Sequence, residues 1–313
     1  MLDIEALSIC FSRYVFGLKR REVCAIQSLD VRVESGSIMA IVGQSGGGKS
    51  LLAHALLGIL PANARVTGSM RFKGKPLTPQ SIARLRGREI ALVPQSVASL
   101  NPLLRIGVQV ARSARLSGLK TKQSITEAHS ALKRYGLGDE VSRRFPFELS
   151  GGMAKRVLTA TATVGLADLI IADEPTNGQD EKNAQETLKH LRELADTGKA
   201  VLLITHDIAS ALRVADAITI FYGGVTVEEC PVHDMTAEQG LRHPYSQALW
   251  AAVPENGLHM TSWYDESPLA QPGTPIATGC PFCEQCGKSQ ETCRHQFPLL
   301  RQAGSGRIRC HHA

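Results

Sequence analysis

Short apolar runs alternate with helix-like segments along most of the chain. Near the start, 2–7 and 29–33 alternate apolar with polar or small residues, which is typical of half-buried antiparallel strands. Three later runs, 38–42, 169–172 and 201–204, are continuously apolar, as expected of strands buried on both faces. Because helix-like segments separate these runs, the pattern predicts an α/β fold with a parallel sheet and a small antiparallel β-layer.

Two regions depart from this alternation. Between 96 and 160 strand signals fade and helical periodicity dominates, which predicts a helical subdomain. After 227, prolines punctuate a loop-rich stretch that leads into a cysteine-rich tail. We therefore expect one large domain over 1–235 and a C-terminal extension over 236–313.

The composition excludes several classes of protein. With 43% hydrophobic and 20% charged residues, the chain is typical of globular proteins and not of disordered ones. No run approaches the roughly 18 apolar residues of a membrane-spanning helix, and the start lacks a basic then apolar leader, so we expect a chain that neither crosses a membrane nor is exported. The net charge of +6 suits nucleic acid or an anionic membrane surface equally.

A glycine-rich segment after the first buried strand matches the phosphate-binding loop (P-loop) pattern of Gly, four residues, Gly-Lys and Ser or Thr. It consists of Gly43, Gln44, Ser45, Gly46, Gly47, Gly48, Lys49 and Ser50. The apolar helical run 51–60 follows, ending at Pro61, so the strand-to-helix context makes a ligand-free surface turn the weaker interpretation. Loop amides and the helix dipole would hold a phosphate chain, with Lys49 bridging its β- and γ-phosphates and the Ser50 hydroxyl binding Mg²⁺.

Acidic and imidazole side chains follow the other two buried strands. Asp173 and Glu174 come directly after 169–172, and His206 follows 201–204. Ligands of open α/β sheets bind at the carboxyl ends of strands, so we expect these groups beside the P-loop. Asp173 would hold Mg²⁺, Glu174 would orient or deprotonate the attacking water, and His206 would contact the γ-phosphate.

The segment Leu149-Ser150-Gly151-Gly152-Met153 resembles the signature motif of ATP-binding cassette (ABC) proteins, usually written LSGGQ. The family's motifs occur in order over about 1–230. The resemblance implies an ABC ATPase cassette: a mixed sheet core with an antiparallel β-layer and a helical subdomain. It also implies that two cassettes sandwich ATP, so that Ser150, Gly151 and Gly152 contact nucleotide bound by a partner.

The same resemblance implies further roles. Gln95 would contact the metal and link it to the helical subdomain, whose outer surface contacts the transmembrane partner. Phe11 would stack on adenine, although Tyr14 and Phe16 are rivals and a core role for Phe11 is equally plausible. Asp180 lies in a loop that touches the opposite cassette, where 177–179 departs from the family pattern, so we expect unusual coupling of the two ATP sites.

Five of the eight cysteines lie in the last 34 residues. Without a signal peptide, a metal or cluster site is a better interpretation than a disulfide framework. The stretch from His243 through the later prolines resembles the C-terminal extension of the oligopeptide/dipeptide/nickel branch of ABC importers. That resemblance implies a [4Fe–4S] site on four thiols, with Cys283 as an extra one; zinc, or free or paired thiols, are the alternatives. The four are Cys280, Cys286, Cys293 and Cys310.

The resemblance implies an ATP-binding and ATP-hydrolysing subunit of a binding-protein-dependent importer for peptides, nickel or a metal-chelate ligand. Its partners would be a second ATPase subunit, expected to be a separate sister chain, two transmembrane permease subunits and an extracytoplasmic binding protein, with no nucleic acid. It would lie peripherally on the cytoplasmic face of the inner membrane. One alternative is a soluble ABC ATPase of DNA repair or translation, but the 54 residues between Gln95 and Ser150 leave no room for a long coiled-coil arm. The other is a metal-sensing module, against which Glu174 and His206 argue.

Overall fold

The computed structural model describes residues 1–16, 19–44, 46–235, 240–253 and 278–313, with the backbone alone for 13–16 and 19–20. The strands are β1 (Leu2–Phe16), β2 (Lys19–Val33), β3 (Ile38–Gly43), β4 (Ala64–Phe72), β5 (Lys75–Pro76), β6 (Ile90–Val93), β7 (Leu169–Asp173), β8 (Ala200–Thr205), β9 (Ala217–Tyr222), β10 (Val225–Pro231), β11 (Arg301–Ala303) and β12 (Gly306–Ile308). The helices are α1 (Lys49–Leu56), α2 (Pro79–Leu85), α3 (Ile106–Leu116), α4 (Thr121–Arg134), α5 (Gly151–Thr163), α6 (Glu181–Asp196), α7 (Ile208–Leu212), α8 (Val232–Met235), α9 (Pro244–Ala251) and α10 (Glu291–His295).

The strands form one mixed sheet in the order β5-β4-β1-β2-β10-β9-β3-β8-β7-β6. On one side, β1 pairs antiparallel with β2 and β4. On the other, β3, β6, β7, β8 and β9 pair in parallel. Every residue of β3, β7 and β8 is buried, which explains why their sequences are continuously apolar. The predicted combination of a parallel sheet and an antiparallel β-layer is confirmed.

The helix after β3 is shorter than its apolar run suggests. We expected it to continue to 60, but α1 ends at Leu56, with Leu57 as its C-cap. Gly58 then adopts the left-handed conformation at φ 62°, and the Ile59 amide donates back to the His54 carbonyl. A left-handed glycine with such backward bonds ends a helix, so Gly58 and not Pro61 sets the boundary.

Helices α3, α4 and α5 form a helical subdomain with its own core. Its buried side chains include Ile106, Val110, Leu132 and Val157, and they pack separately from the cores on the two faces of the sheet. The helices span 106–163, so the last of them extends three residues beyond the region 96–160 in which helical periodicity dominates the sequence. Strand β6 ends just before this subdomain, and α5 leads from it back to β7, so the subdomain is inserted between two strands of the parallel sheet.

The C-terminal extension is joined to the sheet. Strand β12 pairs with β10, and β11 pairs with β12. Arg309, 4% exposed, forms an ion pair of 2.8 Å with Asp30 on β2 and donates to the Thr226 carbonyl at 2.8 Å. Phe282, 1% exposed, packs against Tyr222 of β9. The division of the chain at 235 remains a prediction, and the described tail shares packing with the sheet.

None of the helices in the described ranges is long and apolar enough to cross a bilayer.

Candidate nucleotide site and C-terminal cysteine cavity

The P-loop connects β3 to α1 and depends on glycine at two close approaches. A Cβ at Gly43 would lie 2.1 Å from the Phe221 carbonyl oxygen, and one at Gly48 would lie 3.0 Å from that of Ala25. Gly48 is also left-handed, at φ 92°, and is the N-cap of α1. These glycines let the loop lie directly against β9 and β2, with the amino end of α1 behind it. Ser45 lies outside the described residues.

Lys49 is held inside the loop. It is 5% exposed, and its ammonium donates to the carbonyls of Gly43 and Gln44 at 2.7 and 2.6 Å. Burial lowers the pKa of Lys49, and the charges of Glu174 and Asp173 oppose that shift. The structure therefore places the predicted lysine close enough to the predicted acidic pair for their charges to attract each other.

The oxygen atoms around Asp173 fit a divalent cation. Asp173 ends β7 and is 3% exposed. Burial raises its pKa, a hydrogen bond with the Ser50 side chain opposes this, and the charge of Glu174 raises it further. Its Oδ1 atom is buried without a hydrogen-bond partner. A carboxylate and a hydroxyl side by side, with one carboxylate oxygen unpaired, are the hard donors that Mg²⁺ prefers.

The backbone of Glu174 is strained. Its φ of 49° lies in the left-handed region, which costs a non-glycine residue about 1–3 kcal/mol. The Glu174 amide donates to the Ile204 carbonyl at 2.8 Å, which ties this turn to β8. The carboxylate is 6% exposed, and both of its oxygens lie within hydrogen-bond distance of His206 Nδ1, at 2.9 and 2.7 Å.

His206 therefore contacts Glu174 directly. Its side chain is 50% exposed, so the ring bridges the buried carboxylate and the surface. We expected His206 at the γ-phosphate, and that role remains a prediction. The sequence pattern did not indicate this contact between the imidazole and the carboxylate.

Gln95 lies two residues beyond the end of β6, and its side chain is exposed. Val93 of β6 pairs with Ala172 of β7, so Gln95 lies near the strand end that carries Asp173. Its carbonyl oxygen accepts a hydrogen bond from Lys155 of α5. This backbone contact supports the predicted link from Gln95 to the helical subdomain. The sequence pattern did not single out Lys155, which makes the contact.

The signature residues begin α5. Ser150 is the N-cap, and its side chain accepts a hydrogen bond from the Met153 amide at 3.3 Å. A Cβ at Gly151 would meet nothing within 4 Å, so the backbone there is open to another molecule. Ser150 and the glycines lie on the helical subdomain, on different elements from the P-loop. Their contact with a partner's nucleotide remains a prediction.

Two further residues of the predicted site, Asp180 and Phe11, make contacts within the chain. Asp180 is the N-cap of α6 and accepts a hydrogen bond from the Asn183 amide at 3.0 Å; the bonds from Asn183 lower the pKa of this exposed carboxyl. Phe11 on β1 is half-buried and packs against the sheet core. The side chains of Tyr14 and Phe16 lie outside the described residues. Adenine stacking by Phe11 remains a prediction.

The sequence pattern also missed a disulfide. Cys10 of β1 and Cys24 of β2 are paired across the hairpin, next to Phe11 and Ala25. The sequence does not predict this pairing, because a spacing of 14 residues does not by itself indicate that two cysteines face each other.

The tail cysteines share one cavity of about 310 Å³ with His311 and His312. Burial raises the pKa of Cys280 to about 12, and that of Cys286 is raised in the same way; nearby thiols add to both shifts. Cys293 Sγ lies 3.2 Å from His312 Nε2. Within the described ranges, no three His, Cys, Asp or Glu side chains are arranged to hold a metal ion, so the geometry does not support the predicted metal site. The lining cysteines are Cys280, Cys283, Cys286, Cys293 and Cys310.

Comparison with known proteins agrees with this geometry. A family model described as ABC transporter matches residues 26–177, and one described as oligopeptide/dipeptide transporter, C-terminal region, matches 227–293. The chain belongs to the ABC transporter family. Within it, the second match and the relatives below assign the chain to the ATP-binding proteins of the oligopeptide and dipeptide transporter group.

The relatives cover nearly the whole chain. The dipeptide transport ATP-binding protein DppD of Haemophilus influenzae is 32% identical over 99% of this chain and 95% of its own length. The oligopeptide transport ATP-binding protein OppD of Escherichia coli is also 32% identical, over 99% of this chain and 92% of its own. Among solved structures, a dimeric post-hydrolysis state of the ATP-binding cassette MJ0796, bound to ADP and Pi, matches with a TM-score of 0.65 at 23% identity, over 74% of this chain and 99% of that one. The last match shows the ABC cassette fold alone. The two relatives from Haemophilus influenzae and Escherichia coli are both named as transport proteins, which gives no support to a non-transport ATPase.

Proposed function

We propose that this chain is the ATP-hydrolysing subunit of a binding-protein-dependent importer of peptides. The observation that carries the proposal is the meeting of the P-loop lysine, the buried pair Asp173 and Glu174, and His206 at one edge of the sheet. Peptide cargo is supported by the names of the relatives and by the matched C-terminal region. Nickel or a metal chelate is the alternative cargo.

The chain's own residues supply the chemistry of ATP hydrolysis. Loop amides and Lys49 would hold the β- and γ-phosphates. Glu174 would orient a water in line with the γ-phosphate and accept its proton, while a hydrogen bond from His206 Nδ1 would hold the carboxylate in place. Ser50 and Asp173, with Gln95 nearby, would hold Mg²⁺, which supplies charge neutralisation on the phosphates.

A second cassette completes each ATP site in this proposal. The signature residues lie on the helical subdomain with an open backbone at Gly151, which suits binding to nucleotide on another chain. The partner is a separate sister subunit, so the working unit is a heterodimer. Two permease subunits and an extracytoplasmic binding protein complete the assembly, and the chain lies peripherally on the cytoplasmic face of the inner membrane.

In the tail, we propose that the thiols hold a [4Fe–4S] cluster, with zinc as the alternative. The support is chemical: five thiols line one cavity, and burial raises the pKa of Cys280 and Cys286, so that a cation nearby would favour their thiolates. Because the described side chains are not arranged as ligands, the thiols would have to draw together on binding. Iron and zinc analysis of the full chain tests this. Loss of metal in C293S, but not in C230S, is expected, and equal metal in all three proteins would contradict it.

The importer is tested by purifying the full chain from membranes through an affinity tag. We expect a second cassette and two permease subunits to co-purify, and ATPase activity that rises when peptide-loaded binding protein is added. Stimulation by a nickel- or chelate-loaded binding protein instead would reassign the cargo. Purification of an active ATPase with no integral-membrane protein would contradict the importer.

A further inference from the structure

A buried lysine lies where three parts of the ATP site meet. Lys155 belongs to α5, just beyond the signature residues, and is 8% exposed. Its ammonium donates to the Gln95 carbonyl, beyond the end of β6. Asp173 and Glu174 at the end of β7 are close enough to attract its charge. A single side chain thus joins the signature helix, the glutamine segment and the acidic pair.

Burial makes this lysine costly unless it is well compensated. An ammonium removed from water loses solvation, and charged groups in interiors are normally paired. Burial lowers the pKa of Lys155, and Asp173 and Glu174 oppose the shift. The hydrogen bond of its ammonium goes to a backbone carbonyl and not to a carboxylate, so this contact holds the main chain at Gln95 in place.

We propose that Lys155 is a positioning residue for ATP hydrolysis, which couples the Gln95 segment of one ATP site to the signature helix that serves the other site. The inference rests on the proposed ATPase function. Since Ser150 to Gly152 and Lys155 lie in the first turns of one helix, a shift of the Gln95 backbone moves Lys155 and the signature residues together. The same contact keeps Gln95 beside Asp173 while the site is loaded.

This coupling predicts that a change of Lys155 lowers the rate of hydrolysis and not the affinity for ATP. The hydrogen bond of Lys155 goes to the Gln95 carbonyl and not to the P-loop, so we expect nucleotide binding by the chain to be retained. Losing a charged hydrogen bond that orders the assembled site lowers kcat by about tenfold or more. K155R keeps a charge and donors, and so restores most of the activity.

The test compares full chains purified in their native complex: wild type, K155M, K155R, Q95A, the double variant Q95A/K155M, and V157A. Val157 is fully buried in the same helix, so V157A loosens α5 without removing the contact to Gln95. ATP affinity is measured with a fluorescent nucleotide, and kcat and KM from steady-state hydrolysis. We expect K155M to lower kcat about tenfold with ATP affinity within about twofold, V157A to keep kcat, and the double variant to be no slower than Q95A.

Three results overturn the inference: wild-type kcat in K155M, equal loss of kcat in V157A, or multiplicative losses in the double variant. If K155M does not fold, K155Q, which keeps a neutral donor, takes its place under the same criteria. A wild-type complex without ATPase activity would overturn the proposed function together with the inference. Wild-type activity that survives the loss of Lys155 overturns the inference alone.

Discussion

Replacing Arg309 by Met should destabilise the whole chain, because this residue ties the tail to the β-layer. Its guanidinium is 4% exposed and donates to the Asp30 carboxylate at 2.8 Å, the Thr226 carbonyl at 2.8 Å, the Pro298 carbonyl at 3.1 Å and the Ser28 hydroxyl at 3.1 Å. Methionine fills similar space but leaves Asp30, itself 8% exposed, as a buried charge without its cation.

The cost follows from that uncompensated charge. Removing one partner of a buried, hydrogen-bonded ion pair costs about 3–5 kcal/mol. In a chain of this size, each kcal/mol moves the melting temperature by roughly 2 °C, so R309M should melt roughly 6–10 °C below wild type. The double variant D30N/R309M should cost less than the sum of its single changes, since the orphaned charge is gone.

Thermal melts and urea unfolding followed by circular dichroism measure these differences. The matched control is R301M, because Arg301 is exposed on the neighbouring strand β11 and should contribute less than about 0.5 kcal/mol. An R309M protein whose free energy of unfolding lies within about 1 kcal/mol of wild type would contradict this prediction and show that the tail does not share the stability of the sheet.

Three further variants probe the nucleotide site. G48A should lower ATP affinity about tenfold or more, because its Cβ would meet the Ala25 carbonyl at 3.0 Å, whereas G74A has a similar left-handed φ in open space and should bind ATP normally; equal affinities would contradict this. H206A should lower kcat by about 10- to 100-fold at unchanged ATP affinity, and wild-type turnover would show that the imidazole does not contribute to hydrolysis. F11A should raise the ATP dissociation constant about tenfold if its ring stacks on adenine, and an unchanged constant in a titration would assign it to the core.

Local patterns predict the parallel sheet because burial on both faces demands apolar runs. The strands β3, β7 and β8 are such runs, and the groups that follow them meet at one edge as a parallel sheet requires. Strand β12 was not predicted, because three residues joined to β10 by long-range pairing leave no local pattern. The helix boundary at Gly58 was missed because an apolar run continued beyond the glycine that ends α1.

Some residues of the nucleotide site could likewise be predicted from the sequence, and others could not. The P-loop and the acidic pair are recognisable from the sequence because their residues are neighbours along the chain. Their relative positions in the structure therefore follow from their spacing in the sequence. The contact of Lys155 with Gln95 joins residues 60 apart in the sequence, and that of Arg309 with Asp30 joins residues 279 apart. In both cases the lysine or arginine looks like an ordinary surface charge until the fold shows what it touches.

The central claim is that Glu174 of this chain activates water against ATP held by its P-loop. The most direct measurement is a single-turnover assay with γ-labelled ATP on the complex purified through this chain, comparing wild type with E174Q. We expect the variant to retain uncleaved ATP and to release phosphate at its own site about 10²- to 10⁴-fold more slowly than wild type. Phosphate release at the wild-type rate, or no ATP retained on the variant chain, would contradict it.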